Sequence, residues 1–190
     1  MAYIVTRTVK TMADHQIIIA GFGGQGLLFA GKVLAHAGLA EDRQLSWLPS
    51  YGPEMRGGTA NCSFIISDDD IGSPIVSKPD CLMAMNLPSL DKFEGSVVAG
   101  GKIFVDSTLI ERKVERDDVD VYYIPATAMA KELGYPTLAN MIMVGKMMKE
   151  CPELGYTFIE ETLNKIVSAK HRNLYDANFA AIEAGYNFKE

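Results

Sequence analysis

The chain has 190 residues, of which 48% are hydrophobic and 22% charged, and its 18 basic and 24 acidic residues leave a formal charge of -6. This is an ordinary globular composition, long enough to bury a core without disulfides or metals. The acidic balance leaves no footprint for nucleic acid, and no apolar run approaches the roughly 18 residues of a membrane helix.

Met1 to Lys10 lacks an apolar signal core with a small-residue cleavage site, so no secretory leader is expected. Residues 1–12 read either as an extension, with Met12 an alternative start, or as an extra edge strand. Ile17 to Ala20 is a β-branched run with no polar interruption, the pattern of a strand buried on both faces. Gly21-Phe22-Gly23-Gly24-Gln25-Gly26 follows at once, then a helical stretch from Leu27 to Leu39. Strand, glycine turn and helix make the first half of a βαβ unit.

Gln44 to Leu48 reads as a second strand and Thr59 to Ile66 as a third. Between them Pro49, Gly52, Pro53, Gly57 and Gly58 exclude regular structure. Asp68 to Asp70 is expected as a solvated turn, and Cys81 to Met85 as an apolar strand. Leu87 to Val98 is expected to be helical and to end at Gly100-Gly101. Lys102 to Asp106 and Val121 to Ile124 read as strands. After Pro125 the stretches 126–133, 137–149, 158–169 and 173–184 all look helical. Met141, Met143, Met147 and Met148 in one of them are expected as core filler. The whole predicts a single domain over 1–190: a three-layer α/β/α fold, Rossmann-like, with a mainly parallel sheet and a helical C-terminal part.

Cys62, Cys81 and Cys151 are odd in number, far apart and form no Cys-x-x-Cys. An iron–sulfur cluster or structural zinc held by this chain alone is therefore not expected; buried reduced thiols in a cytoplasmic protein are. His15, His36 and His171 are scattered, and no serine–histidine–acid set is readable.

Gly21, Gly23 and Gly26 satisfy G-x-G-x-x-G. Glycines permit positive φ and a close approach of backbone to a ligand, and the helix behind offers free N–H donors to an anion. A dinucleotide site also needs an acidic residue at the end of the second strand to grip the ribose. Here Glu41 and Asp42 come too early, and Pro49-Ser50-Tyr51 stands at that position. An alternative reading, a self-sufficient NAD(P)- or flavin-binding oxidoreductase, thus lacks its ribose partner. For Gly26 tight strand–helix packing is the better reading.

The other informative stretch is Ser50-Tyr51-Gly52-Pro53-Glu54-Met55-Arg56-Gly57-Gly58. It follows the second strand, so it belongs on the same rim as the glycine loop. Arg56 offers a fork of donors for carboxylate or phosphate, Tyr51 a hydroxyl and a ring face, and Glu54 an acceptor. The competing reading is that Glu54 and Arg56 pair with neighbours across a subunit contact. Trp47, just before this loop, reads as a core or interface anchor. If the loop meets a partner, an apolar patch should be exposed around Trp47 and Pro49. Asp106, at a strand end, is expected to cap the segment after it.

With both loops in hand, the chain resembles the gamma subunit of 2-oxoacid:ferredoxin (acceptor) oxidoreductases. The resemblance rests on the glycine loop paired with Tyr51-x-x-Glu54-x-Arg56-Gly57-Gly58. It is supported by Ile71 to Pro74, Asp80 to Asn86, Gly100-Gly101 with Asp106, Asn140 to Gly145, Asn178-Phe179 and Gly185. It covers the chain from about Gln16. It implies a subunit of an enzyme that oxidatively decarboxylates a 2-oxoacid onto coenzyme A and passes electrons to ferredoxin. It also implies thiamine diphosphate with Mg, iron–sulfur clusters and coenzyme A held mainly on alpha, beta and delta partners, with none firmly on this chain. The short form looks most like subunits acting on 2-oxoglutarate. The resemblance implies no catalytic residue or metal ligand here and an inactive isolated chain. The residues it marks as cofactor-binding or interface are Gly21, Gly23, Gly24, Gln25, Gly26, Tyr51, Glu54, Arg56 and Gly57.

Overall fold

The apolar run after Asp14 forms β1 (His15–Gly21), and its side chains alternate between two cores. This is a computed structural model, and it describes residues 14–40, 42–50, 60–167 and 172–189. The further elements are α1 (Leu27–Ala40), β2 (Gln44–Ser50), β3 (Ala60–Ser67), β4 (Cys81–Ala84), α2 (Leu87–Phe93) and β5 (Lys102–Asp106). They continue with β6 (Asp120–Ile124), α3 (Ala126–Glu132), α4 (Ala139–Glu150), α5 (Ile159–Ile166) and α6 (Arg172–Asn187). The possible edge strand at 1–12 lies outside the described residues.

Among the described residues the sheet has the order β2-β3-β1-β4-β5-β6. β1, β4, β5 and β6 pair in parallel, while β3 is antiparallel to both β1 and β2. The expected α/β fold with a mainly parallel sheet is therefore present, with one strand running against the rest. The expected βαβ start differs in one respect. α1 does carry the chain to a strand parallel to β1, but β3 stands between the two.

Ile17 and Ile19 face one core with Phe64, Met83 and Phe104; Ile18 and Ala20 face the other with Leu82, Ile103 and Val105. A strand buried on both faces must read as a continuous apolar run, which is how the sequence betrayed it. The first core is covered by α1, α3, α4, α5 and α6. The second is covered by the shorter α2 and by Val97 and Ile110. α2 stops at Phe93, short of the expected Val98, and a 310 turn over Glu94–Ser96 follows. Gly95 weakens the helix there. The Glu94 carboxylate is held outside the helical frame, accepting from Arg112 Nη2 at 2.6 Å and Glu115 N at 2.7 Å.

The C-terminal part is indeed helical. α4 and α6 lie so close that a Cβ on Gly145 would run into the Ile182 carbonyl, and one on Gly185 into the Ile142 carbonyl. The four methionines of α4 are buried, in keeping with their reading as core filler. Asp106 is fully buried and acts as the expected cap. Its carboxylate accepts from Thr108 N at 3.2 Å, Thr127 N at 3.3 Å and Thr127 Oγ1 at 2.5 Å, tying β5 to the first turn of α3.

Candidate functional site

The glycine loop is braced from within. The Gln25 side chain folds under it, where Oε1 accepts from Phe22 N at 2.5 Å and Nε2 donates to Met85 O at 3.0 Å. Both ends of that amide are thus used inside the chain, joining the loop after β1 to the end of β4. Gly21 leaves room for it: a Cβ there would collide with Gln25 Oε1 and reach Met85 Cβ at 3.0 Å.

The two positive-φ glycines play different parts. Gly26 has φ +72, and a Cβ on it would lie 2.5 Å from Asn140 Nδ2. Its carbonyl accepts from Phe29 N and Ala30 N at 3.0 Å and from Asn140 Nδ2 at 2.9 Å. Gly26 therefore starts α1 and locks it to α4, the packing role expected of it. Gly24 has φ +95, but a Cβ on it would meet nothing within 4 Å. Its backbone is bare toward the outside, where another molecule can come up against it.

A pocket of about 250 Å³ opens beside the loop, lined by Phe22, Gly23, Gly24 and Gly26, the first turn of α1, and Ser50, Ala60 and Asn61. Leu27 and Leu28 of the first turn of α1 stand in this wall, while Phe29 N and Ala30 N are taken up by the Gly26 carbonyl. Among the described lining residues none carries a charged side chain. Ser50 ends β2 and Ala60 begins β3, opposite Gly21 in the ladder. Both ends of the second loop therefore stand at the glycine rim, as its place after the second strand predicts. Tyr51, Glu54, Arg56 and Gly57 themselves lie outside the described residues.

Around the pocket apolar side chains face outward. Phe22 is 44% exposed, Leu48 45% and Trp47 38%, with Pro49 partly covered. Trp47 stacks on Phe64 with ring centroids 6.3 Å apart, so one side of the indole rests on the core and the other is open. The exposed patch expected near Trp47 is present. Phe22, Asn61 and Asn140 are the contributors that sequence reasoning missed. An aromatic between two glycines signals Phe22; Asn140 is 114 positions from Gly26 and carries no local signal.

A dinucleotide reading fares worse in three dimensions. It needs an acidic residue at the end of the strand next to β1. That place belongs to β3, which runs the other way and presents Ala60 and Asn61.

A family model described as pyruvate ferredoxin/flavodoxin oxidoreductase matches residues 16–188. The chain is 41% identical over 176 residues to the ketoisovalerate oxidoreductase subunit VorA of Methanothermobacter thermautotrophicus, covering 90% of this chain and 36% of that protein. The chain thus spans about a third of that curated relative. It is 34% identical over 175 residues to the 2-oxoglutarate synthase subunit KorC of Methanocaldococcus jannaschii, covering 90% of this chain and 91% of KorC. Its fold matches the crystal structure of a keto/oxoacid ferredoxin oxidoreductase gamma subunit from Geobacter sulfurreducens, with TM-score 0.78, 28% identity, and 90% and 96% of the two chains covered.

Proposed function

Because the chain belongs to the pyruvate ferredoxin/flavodoxin oxidoreductase family, we propose that it is the gamma subunit of a cytoplasmic, multi-subunit 2-oxoacid:ferredoxin oxidoreductase. The enzyme would decarboxylate a 2-oxoacid oxidatively, form an acyl-CoA and pass electrons to ferredoxin. The substrate proposed first is 2-oxoglutarate, because KorC has this chain's length. The higher identity to VorA favours a branched-chain 2-oxoacid as the second substrate to try. Residues 16–188 act as one gamma-type unit in this reading.

The observation that carries the proposal is the form of the glycine rim. Its loop is fixed from inside by Gln25 and Asn140, its outer backbone at Gly24 is open, and Phe22 stands exposed beside it. A rigid rim with apolar side chains and no charge on its described wall suits a neighbouring protein surface better than a free anion. Arg56, in the adjoining loop, is the cation we assign to a phosphate or carboxylate brought by coenzyme A or by a partner. We assign Gly21, Gly23, Gly24 and Gly26, with Tyr51, Glu54 and Gly57, to the same junction, and Gln25 to holding its shape.

The thiamine diphosphate with Mg is assigned to the alpha and beta partners, where it stabilises the carbanion left by decarboxylation. Iron–sulfur clusters are ligated by sets of four cysteines. This chain has three, and Cys62 sits in β3 apart from the other two, so the clusters are assigned to partner chains including delta. The role left to this chain is to close and position the assembly.

Co-expression with candidate alpha, beta and delta chains tests the proposal. The complete set should co-purify and reduce ferredoxin with 2-oxoglutarate and coenzyme A, while this chain alone should not. Full turnover by a complex lacking this chain would overturn it.

A further inference from the structure

Apolar side chains turn outward well beyond the glycine loop. β1, β4 and β5 are parallel neighbours, about 4.8 Å apart, and they end side by side. Phe22 follows the last residue of β1, Leu87 comes three residues after the end of β4, and Leu109 three after the end of β5. The turn that carries Leu133 and Tyr135 leads into α4, whose Asn140 bonds Gly26 O, so it reaches the same rim. Leu48 stands near the end of β2, two residues before Ser50 of the pocket wall. These six side chains are each between 39% and 45% exposed.

The edge they form is also uncharged. Residues 22–26, 48–50, 60–61, 85–88, 107–110 and 133–138 include no Asp, Glu, Lys, Arg or His, in a chain of which 22% is charged. At the opposite rim Asp14, Asp69, Asp70, Lys78 and Asp118 are all exposed. At its observed exposure each large side chain leaves roughly 80 Å² open, so the six offer on the order of 500 Å² of apolar surface. A standard interface takes about 800 Å² from each partner, of which about 57% is apolar. The edge therefore holds the apolar share of one whole protein interface, and its lack of charge suits an uncharged, apolar partner face.

We propose that the junction at the glycine loop is one end of a docking edge that runs across the strand ends to Leu109 and Tyr135. Its occupant is the chain that supplies what VorA carries outside its match to this one. The proposal rests on the gamma-subunit reading. VorA matches 90% of this chain with only 36% of its own length, whereas KorC matches with 91% of its length. The same unit is thus part of a longer polypeptide in one relative and a chain of its own in the other. Covalent linkage holds two units at a high effective concentration, so they need little surface between them. A unit on a separate chain has no such tether and must bury enough apolar area to keep its neighbour.

The test uses the complex co-expressed with its other candidate subunits, with p-benzoylphenylalanine placed at position 22, 109 or 135 in turn. After irradiation, mass spectrometry identifies the cross-linked chain. Positions 109 and 135 should both cross-link to the subunit whose sequence aligns with the part of VorA outside the match. Cross-links from them to other subunits only, or from position 22 alone, would overturn the docking edge and leave the gamma-subunit reading standing. Failure of the wild-type chain to co-purify with any subunit would overturn both. A second measurement uses Leu109→Glu with Tyr135→Glu. The melting temperature of the isolated chain should stay near that of wild type, while its affinity for the same subunit falls about tenfold or more. Wild-type affinity in that double variant would also overturn the proposal.

Discussion

At the scale of single residues, the glycine loop separates conformation from space. Gly24 needs its left-handed backbone but has nothing near its missing side chain. Gly24→Ala should fold with a loss of only about 1–2 kcal/mol, the cost of that backbone region for an L-residue. It should nonetheless impair partner binding or turnover of the complex, because the added methyl lies on the open side. Normal assembly and turnover would remove Gly24 from the junction. Gly26→Ala meets the same backbone cost and also crowds Asn140 at 2.5 Å. Its urea midpoint should fall clearly below that of Gly24→Ala; equal midpoints would contradict the contact. Gln25→Ala strips the brace from Phe22 N and Met85 O and should cost about 1–3 kcal/mol in urea unfolding. G-x-G-x-x-G was legible as a motif, but the use of Gln25 was not. Its partner, Met85, is 60 positions away.

At the scale of elements, α4 and α6 meet through reciprocal glycines. In an exposed helix interior Gly→Ala adds up to about 1 kcal/mol of helix propensity. At Gly145 or Gly185 the new Cβ would strike the backbone of the facing helix. The expected result is a lower melting temperature, with overpacking costing about 1–3 kcal/mol or more. A rise in Tm in either variant would show that the helices can part cheaply. The start of β1 carries a pH dependence. Burial alone would pull His15 down, but the Asp80 hydrogen bond and the charges of Asp80 and Glu153 outweigh it and hold the imidazole above its ordinary 6.5. A raised folded value means stability that is fully present below pH 6.5 and is lost as pH climbs through that folded value. His15→Gln should flatten this part of the stability curve. An unchanged pH slope in that variant would exclude His15 as its source. Helix positions were readable because amphipathic and apolar runs are local. The closeness of α4 to α6 was not, since Gly145 in a methionine-rich helix looks like a weakness until the facing backbone is known.

At the scale of the molecule, one rim bears the open glycine loop and exposed apolar side chains, and the opposite rim bears His15 with the Asp80 and Glu153 carboxylates. Phe22→Asp and Leu48→Asp change exposed side chains and should leave thermal unfolding nearly as in wild type. If the glycine rim is the junction, they should abolish co-purification with the other subunits of the proposed complex. Wild-type co-purification by the double variant would move the junction elsewhere. The isolated chain should also self-associate reversibly through this patch, seen as concentration-dependent mass in sedimentation, and the same two substitutions should suppress it.

The sequence by itself determined the strands, the helices, the α/β class and the two loops that carry the family likeness. Each of these is written in side-chain periodicity or in glycine and proline chemistry within a few residues. Tertiary structure alone decided that β3 runs antiparallel between β1 and β2, and so that, among the described residues, Ala60 and Asn61 rather than an acid stand beside the end of β1. It alone decided that Gln25 and Asn140 fix the loop. Strand order and contacts between distant residues follow from how apolar faces are buried together, and no local pattern encodes which distant face that will be.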